Sequence, residues 1–399
     1  MPKLRISWDE YRSRQERLRE FMTENEYEAF LVTTGVHIFY LSHFYHMITE
    51  RPAALLVTMD EAPIFMGPRL EADHLRHQTQ LIDEVYTYLD YPGETHPIEL
   101  FAEWLKDMGY GKSRIGAENP SGAGGSYGYE GPSLEDEMPD AEIVKEDRVI
   151  WDMRMVKSEE EIELIKESAR WGNLAHSLLQ EYTEPGYWDV EISLMASLEA
   201  SSFMKKTLGP DYEQIRGGRA PASAGFRGQV GWKSAMPHSI GINKMVEEGD
   251  VLVTGAGADI GGYHSELERT MIIGEPTERQ RKLFNVMVEA QDAAINALGP
   301  GVKCSEIDDA ANRVLHDAGL KDYIRHHTGH GIGLQGHEPP WLDQGNNKEL
   351  KPGMVVSIEP GIYELGFAGF RHSDTAVITE DGAELVTYYP RDIDSLTIT

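Results

Sequence analysis

Residues 251–274 read VLVTGAGADIGGYHSELERTMIIG. An apolar run, VLV, leads into a glycine-rich turn, and a second apolar run, TMII, leads out. A glycine-rich loop that cradles phosphate sits between a strand and a helix. Here strand-like residues lie on both sides of GAGADIGG, so a nucleotide site is disfavoured and a sheet is expected. Between the two runs, Glu266 and Glu268 alternate along what reads as a strand, which points them to one face. Two carboxylates on one buried face raise each other's pKa unless a cation lies between them.

Outward from this stretch the second half of the chain reads as α+β. Further strand-like segments are MVVSIEPGIY (354–363) and RHSDTAVIT (371–379). Ser158 and Glu161 form a capping box that opens the helix EEEIELIKESARWGNLAHSLLQ. Thr277 and Gln280 open a second helix, closed by Gly299 and Pro300. Helices then cover a sheet that bears most of the polar residues.

The first 150 residues read as α/β. Residues 8–24 form an amphipathic pattern with Tyr11, Leu18 and Phe21 along one face, and AFLVTT (29–34) and AALLVT (53–58) read as buried strands. A helix over Phe101 to Met108 precedes the strand-like RIGAE, and the Gly/Ser-rich stretch 118–133 is loop. The boundary falls near residue 157, giving domains 1–157 and 158–399.

The chain has 399 residues, with 37 basic against 67 acidic ones and a formal charge of −30. So acidic a surface repels nucleic-acid phosphates and anionic lipid, and it suits a cell living with salt. The N-terminal MPKLRISWDEYRSRQ has no apolar signal core, and no run approaches ~18 apolar residues. A cytoplasmic location is expected, with neither nucleic acid nor membrane as partner. One cysteine, Cys304, excludes an internal disulfide framework and a cysteine-based metal cluster.

Two more polar constellations stand out. HHTGHGIGLQGHEPP (326–340) places His326, His327, His330 and His337 among glycines, which allow close backbone approach, and histidine serves as acid, base or metal ligand. Glu359, in VVSIEPGIY, is a carboxylate within an apolar strand that needs a partner. There is no G-x-S-x-G elbow and no P-loop. The residues themselves reach a pocket of His and Glu, and no further.

Taken in order, RMVKSEEEIELIKESA (154–169), MPHSIGINKMVEEGDVL (236–252), GGYHSELERTM (261–271), HHTGHGIGLQGHEPP, KPGMVVSIEPGIY and GFRHSDTAVIT resemble the creatinase/aminopeptidase "pita-bread" family. The resemblance implies an α/β N-terminal domain, an α+β pita-bread catalytic domain and a homodimer. Most of that family hold two metal ions on five ligands: Asp, Asp, His, Glu and Glu. Carried across, the first Asp falls on Gly255, the second on Glu266, the His on His330, the first Glu on Glu359 and the last on Ser373. Two donors are lost and one has changed type. A bridging ion pair needs several carboxylates to offset about four positive charges, so a two-metal peptidase is disfavoured. Glu266, His330 and Glu359 could still hold one ion.

The sequence is more similar to the family's metal-free branch, ectoine hydrolase first and creatinase next. That resemblance implies opening of the amidine C–N bond of a small zwitterionic solute, ectoine to N-acetyl-diaminobutyrate, without metal or other cofactor. In it Glu268 and Glu359 hold the amidinium, with Glu266 adding charge. His238 takes a proton from water and returns it to the leaving nitrogen. Direct attack by Glu266 or Glu268 is the alternative route. His330 and Trp232 contact substrate, and Arg51 from the partner subunit neutralises its carboxylate, with Arg371 or Arg325 as substitutes. The competing readings are a creatinase-type guanidino-acid hydrolase, a single-metal Xaa-Pro dipeptidase and a binding module without activity. Retention of His238, Glu268, His330 and Glu359 together argues against the module.

Overall fold

The structure is a computed structural model that describes residues 2–124, 126–215, 220–241 and 243–399. Gly125 of the 118–133 loop and Ile242 of the 236–252 run lie outside the described residues. The chain divides into two compact units, one formed by Ile6–Arg154 and the other by Met155–Thr399 together with the residues before Ile6.

In the first unit Ser7 caps the helix Trp8–Glu24 by accepting from the Glu10 N–H. Tyr11 and Leu18 are buried on its inner face, as the periodicity requires. Six strands follow: β1 (Ala29–Val32), β2 (Ala54–Thr58), β3 (Ile64–Pro68), β4 (Glu84–Tyr88), β5 (Arg114–Ala117) and β6 (Glu142–Lys145). They form one sheet in the order β4-β3-β2-β1-β5-β6. β1 and β2 are buried at every position, which explains why they read as continuous apolar runs. The helix Pro97–Asp107 lays Ile98, Phe101 and Leu105 onto Leu31, Leu56, Met66 and Ile115 to close the core.

The second unit carries β7 (Ala222–Gly225), β8 (Val251–Val253), β9 (Gly255–Ala258), β10 (Thr270–Ile273), β11 (Gly329–Gly331), β12 (Glu338–Leu342), β13 (Val355–Ile358), β14 (Gly361–Glu364), β15 (Ala368–Arg371), β16 (Asp374–Ile378), β17 (Ala383–Leu385) and β18 (Thr397–Ile398). The largest sheet runs β12-β11-β13-β16-β17, with smaller sheets β18-β10-β8, β7-β9 and β14-β15. Long helices, Glu159–Tyr182 and Glu278–Ala297 among them, pack against these strands. Both open with complete capping boxes, Ser158 with Glu161 and Thr277 with Gln280. Among the described residues no helix is long and apolar enough to cross a membrane.

One expectation needs correcting. Residues 263–269 are not a regular strand. Glu268 pairs its main chain with Ser373 in an isolated antiparallel bridge, and the Glu266 N–H goes to Thr375 Oγ1 instead of a ladder carbonyl. Gly261 and Gly262, both with positive φ, turn the chain just before it, and Gly262 N–H is held by Asp259.

Candidate active site

Three of the expected carboxylates converge. Carboxylate oxygens of Glu266, Glu268 and Glu359 all lie within 4.8 Å of one another, and so do ligand atoms of Glu266, His330 and His337. His330 sits in β11 between two glycines that have no alternative. A Cβ on Gly329 would stand 2.0 Å from the Ser357 carbonyl oxygen, and one on Gly331 2.2 Å from that of Pro339. The glycines thus let neighbouring backbone close around the histidine, instead of admitting a ligand.

Hydrogen bonding orients the His330 ring. Nδ1 lies 3.0 Å from the Gly331 carbonyl oxygen and so carries its proton. Nε2 lies 3.0 Å from Glu359 Oε1, yet it is buried without an aligned hydrogen bond. The exposed His337 ring stacks on His330 with centroids 3.8 Å apart.

Burial alone would lower the His330 pKa, but the Glu359 carboxylate and the Glu266 charge outweigh it and lift it to about 9. For Glu359, burial works upward, and His330 and Arg371 overcome it to hold the carboxyl far below the usual range. At Glu266 the pull of His330 and of the Ser373 hydroxyl is outweighed. Burial first, then the Glu359 and Glu268 charges, push it up to about 7. Its Oε1 accepts from Ser373 Oγ at 2.7 Å.

Glu268 is held between two guanidinium groups. Arg371 donates from Nε to Oε2 and from Nη2 to Oε1 at 2.8 Å, and Arg227 donates from Nη2 to Oε1. Arg371 also donates to Tyr363 Oη at 3.1 Å and Gln229 Oε1 at 3.4 Å, and its Nε lies 3.6 Å from Glu359 Oε2. Tyr363 lies 2.8 Å from His326 Nε2, and His326 Nδ1 faces the His327 carbonyl. This chain is consistent only with Tyr363 donating to a neutral His326, whose pKa burial lowers.

Of the other expected residues, His238, Trp232 and Arg51 make none of these contacts. His238 is exposed, makes no hydrogen bond among the described residues and reaches the cluster only through its charge, which contributes to lowering the His337 pKa. Trp232 is 51% exposed on a short 3-10 turn, beside the Lys233 ammonium. Arg51, in the first unit, pairs with Glu50 and with Asp90 at 3.0 Å. Arg371 is buried, with its guanidinium bonded to Glu268, Tyr363 and Gln229. The sequence reading missed Arg227, Gln229 and Tyr363; only a backbone that brings residues 227 and 268 together reveals the first.

Comparison with known proteins follows the two-unit division. The pattern of metallopeptidase family M24 matches residues 163–380, and the creatinase/prolidase N-terminal domain matches 14–156. The chain belongs to metallopeptidase family M24. This M24 chain is 31% identical over 394 residues to the Xaa-Pro dipeptidase of Pyrococcus furiosus, covering 96% of itself and 99% of that relative. Among solved structures it resembles dipeptidase PepE from Mycobacterium ulcerans (27% identity, TM-score 0.80, 99% of each chain) and an Xaa-Pro dipeptidase from Bacillus anthracis (25%, 0.79, 97% of this chain and 100% of that one).

These relatives overturn the amidine reading, since Xaa-Pro dipeptidases match the M24 chain from end to end. The geometry supplies a physical reason. Glu268, which was to hold a cationic amidinium, is already neutralised by Arg227 and Arg371, and Glu359 by His330 and Arg371. A cationic substrate would meet cations there. The M24 chain is a hydrolase by family.

Proposed function

We propose that the chain is a dipeptidase of the Xaa-Pro type that works with one divalent ion. Its end-to-end match to Xaa-Pro dipeptidases supports the substrate class. The donor set supports the ion count. Two ions do not fit, because Gly255 offers no donor, Ser373 offers only a neutral hydroxyl where a carboxylate is needed to offset the charge, and both oxygens of Glu268 accept from arginines. One ion fits, on Glu266, His330 and His337, and the grouping of their ligand atoms within 4.8 Å of one another is the observation that carries this reading; His330 would give up its Nε2 proton to bind. Imidazole and carboxylate together suit zinc, manganese or iron. Bound there, the ion would polarise the scissile carbonyl and make a nearby water acidic enough to attack near neutral pH.

The remaining work falls to the chain. Glu266, holding the ion through one oxygen, would accept a proton from the attacking water on the other and pass it to the leaving nitrogen. Glu359 stays ionised and fixes the His330 ring, while the Arg371–Glu268 pair sets the wall behind them. The test is proline release from Xaa-Pro dipeptides by chelator-treated protein with and without added Mn2+. Hydrolysis lost on chelation and restored by the metal is expected. No hydrolysis of any Xaa-Pro dipeptide under either condition, or a rate indifferent to chelation, would overturn the reading.

A further inference from the structure

Arg227 reaches the centre by an unusual route. It and Gly228 both have positive φ, 50° and 74°, and Gln229 N–H closes the turn onto the Phe226 carbonyl at 2.7 Å. Gly228 is fixed, since a Cβ there would stand 2.2 Å from the Ile240 carbonyl oxygen. A left-handed arginine persists only where its surroundings over-determine it. The turn delivers the guanidinium onto the buried Glu268 carboxylate, leaving half of the side chain exposed.

The same space lies next to Gly255. A Cβ on Gly255 would stand 3.5 Å from Glu268 Oε1, 3.7 Å from Arg227 Nε and 3.9 Å from Arg227 Cζ. A carboxylate at position 255 would therefore grow into the Arg227–Glu268 pair. On the one-ion reading above, we infer that the Arg227 guanidinium takes the place of the second metal ion: it occupies the site beside Gly255, supplies the charge that compensates Glu268 and excludes a further cation. The losses at Gly255 and Ser373 then belong with the gain at Arg227, since fixed donors for a second ion would have no cation to hold.

The experiment counts ions. Protein stripped of metal and equilibrated with excess Mn2+ is assayed by elemental analysis for ions per chain. The wild type is expected to hold one, and the Gly255→Asp/Ser373→Glu variant, with Arg227 intact, to hold no more. Adding Arg227→Ala to those two changes should admit one further ion. Two ions on the wild type, two on the double variant, or no gain in a folded triple variant would each overturn the inference. Should the triple variant fail to fold, Arg227→Ala alone decides. Removing a fixed positive charge beside the donors should tighten Mn2+ binding at least about tenfold, and unchanged affinity would contradict the assignment. None of these readouts measures hydrolysis, so a failure to cleave Xaa-Pro dipeptides is a separate result.

Discussion

Glu266 and Glu268 lie two residues apart in the chain and have opposite surroundings. Glu268 is flanked by Arg227 and Arg371, whereas at Glu266 burial and two like charges outweigh a hydroxyl and the His330 ring. That contrast assigns them separate work, a proton carrier and a structural counter-ion. Glu266→Gln should lower kcat/KM by about 10²-fold or more with an unchanged circular-dichroism spectrum, as loss of a general acid–base demands. A loss under about tenfold would remove Glu266 from that role. Arg371→Met leaves a buried carboxylate half compensated, and denaturant unfolding should register a loss of about 3–5 kcal/mol. The convergence of Glu266, Glu268, His330 and Glu359 was legible in the sequence because motif spacing carries it. The Arg227 contact was not: the missing side chain at position 255 could be read, but the left-handed turn that brings Arg227 beside it leaves no chemical signature.

At the scale of elements, helix starts were the clearest signals, since the capping boxes at Ser158 and Thr277 are local chemistry. Ser158→Ala should cost about 1 kcal/mol in chemical denaturation, and no change would mean that the tertiary packing of the helix overrides its cap. The segment 263–269 misled because alternating charges imitate strand periodicity while the N–H groups of Ser265, Glu266 and Arg269 go to side chains and break the ladder. The helix Glu159–Tyr182 also carries a buried titratable group. His176 bonds Thr254 Oγ1 at 2.7 Å, and burial drives its pKa down to about 3. The unfolded chain binds this proton near pH 6.5 while the native state does not, so stability falls as pH drops below about 6.5. His372, also buried and lowered, adds to the trend. Unfolding free energies measured between pH 7 and 5.5 should decline, and His176→Leu should flatten the slope by up to about 1.4 kcal/mol per pH unit. An identical slope in the variant would show that His176 titrates normally.

At the scale of the molecule, charge and catalytic class are separate properties. A net charge of −30 promotes self-repulsion that salt screens, so Tm should rise between 0.02 and 0.5 M NaCl. A flat Tm would mean the acidic residues are locally paired. The two-domain architecture was readable because family-like runs follow one another in order from 154 to 379 and alternating strand and helix patterns fill the first 150 residues. The reaction was not, because the same broken ligand set is compatible with several chemistries until the partners of each carboxylate are known. The most direct test is a titration of metal-stripped protein with Mn2+ while proline release from an Xaa-Pro dipeptide is followed. Activity should rise linearly and break at one ion per chain. A break at two ions, or no proline released at any ratio, would contradict a one-ion dipeptidase.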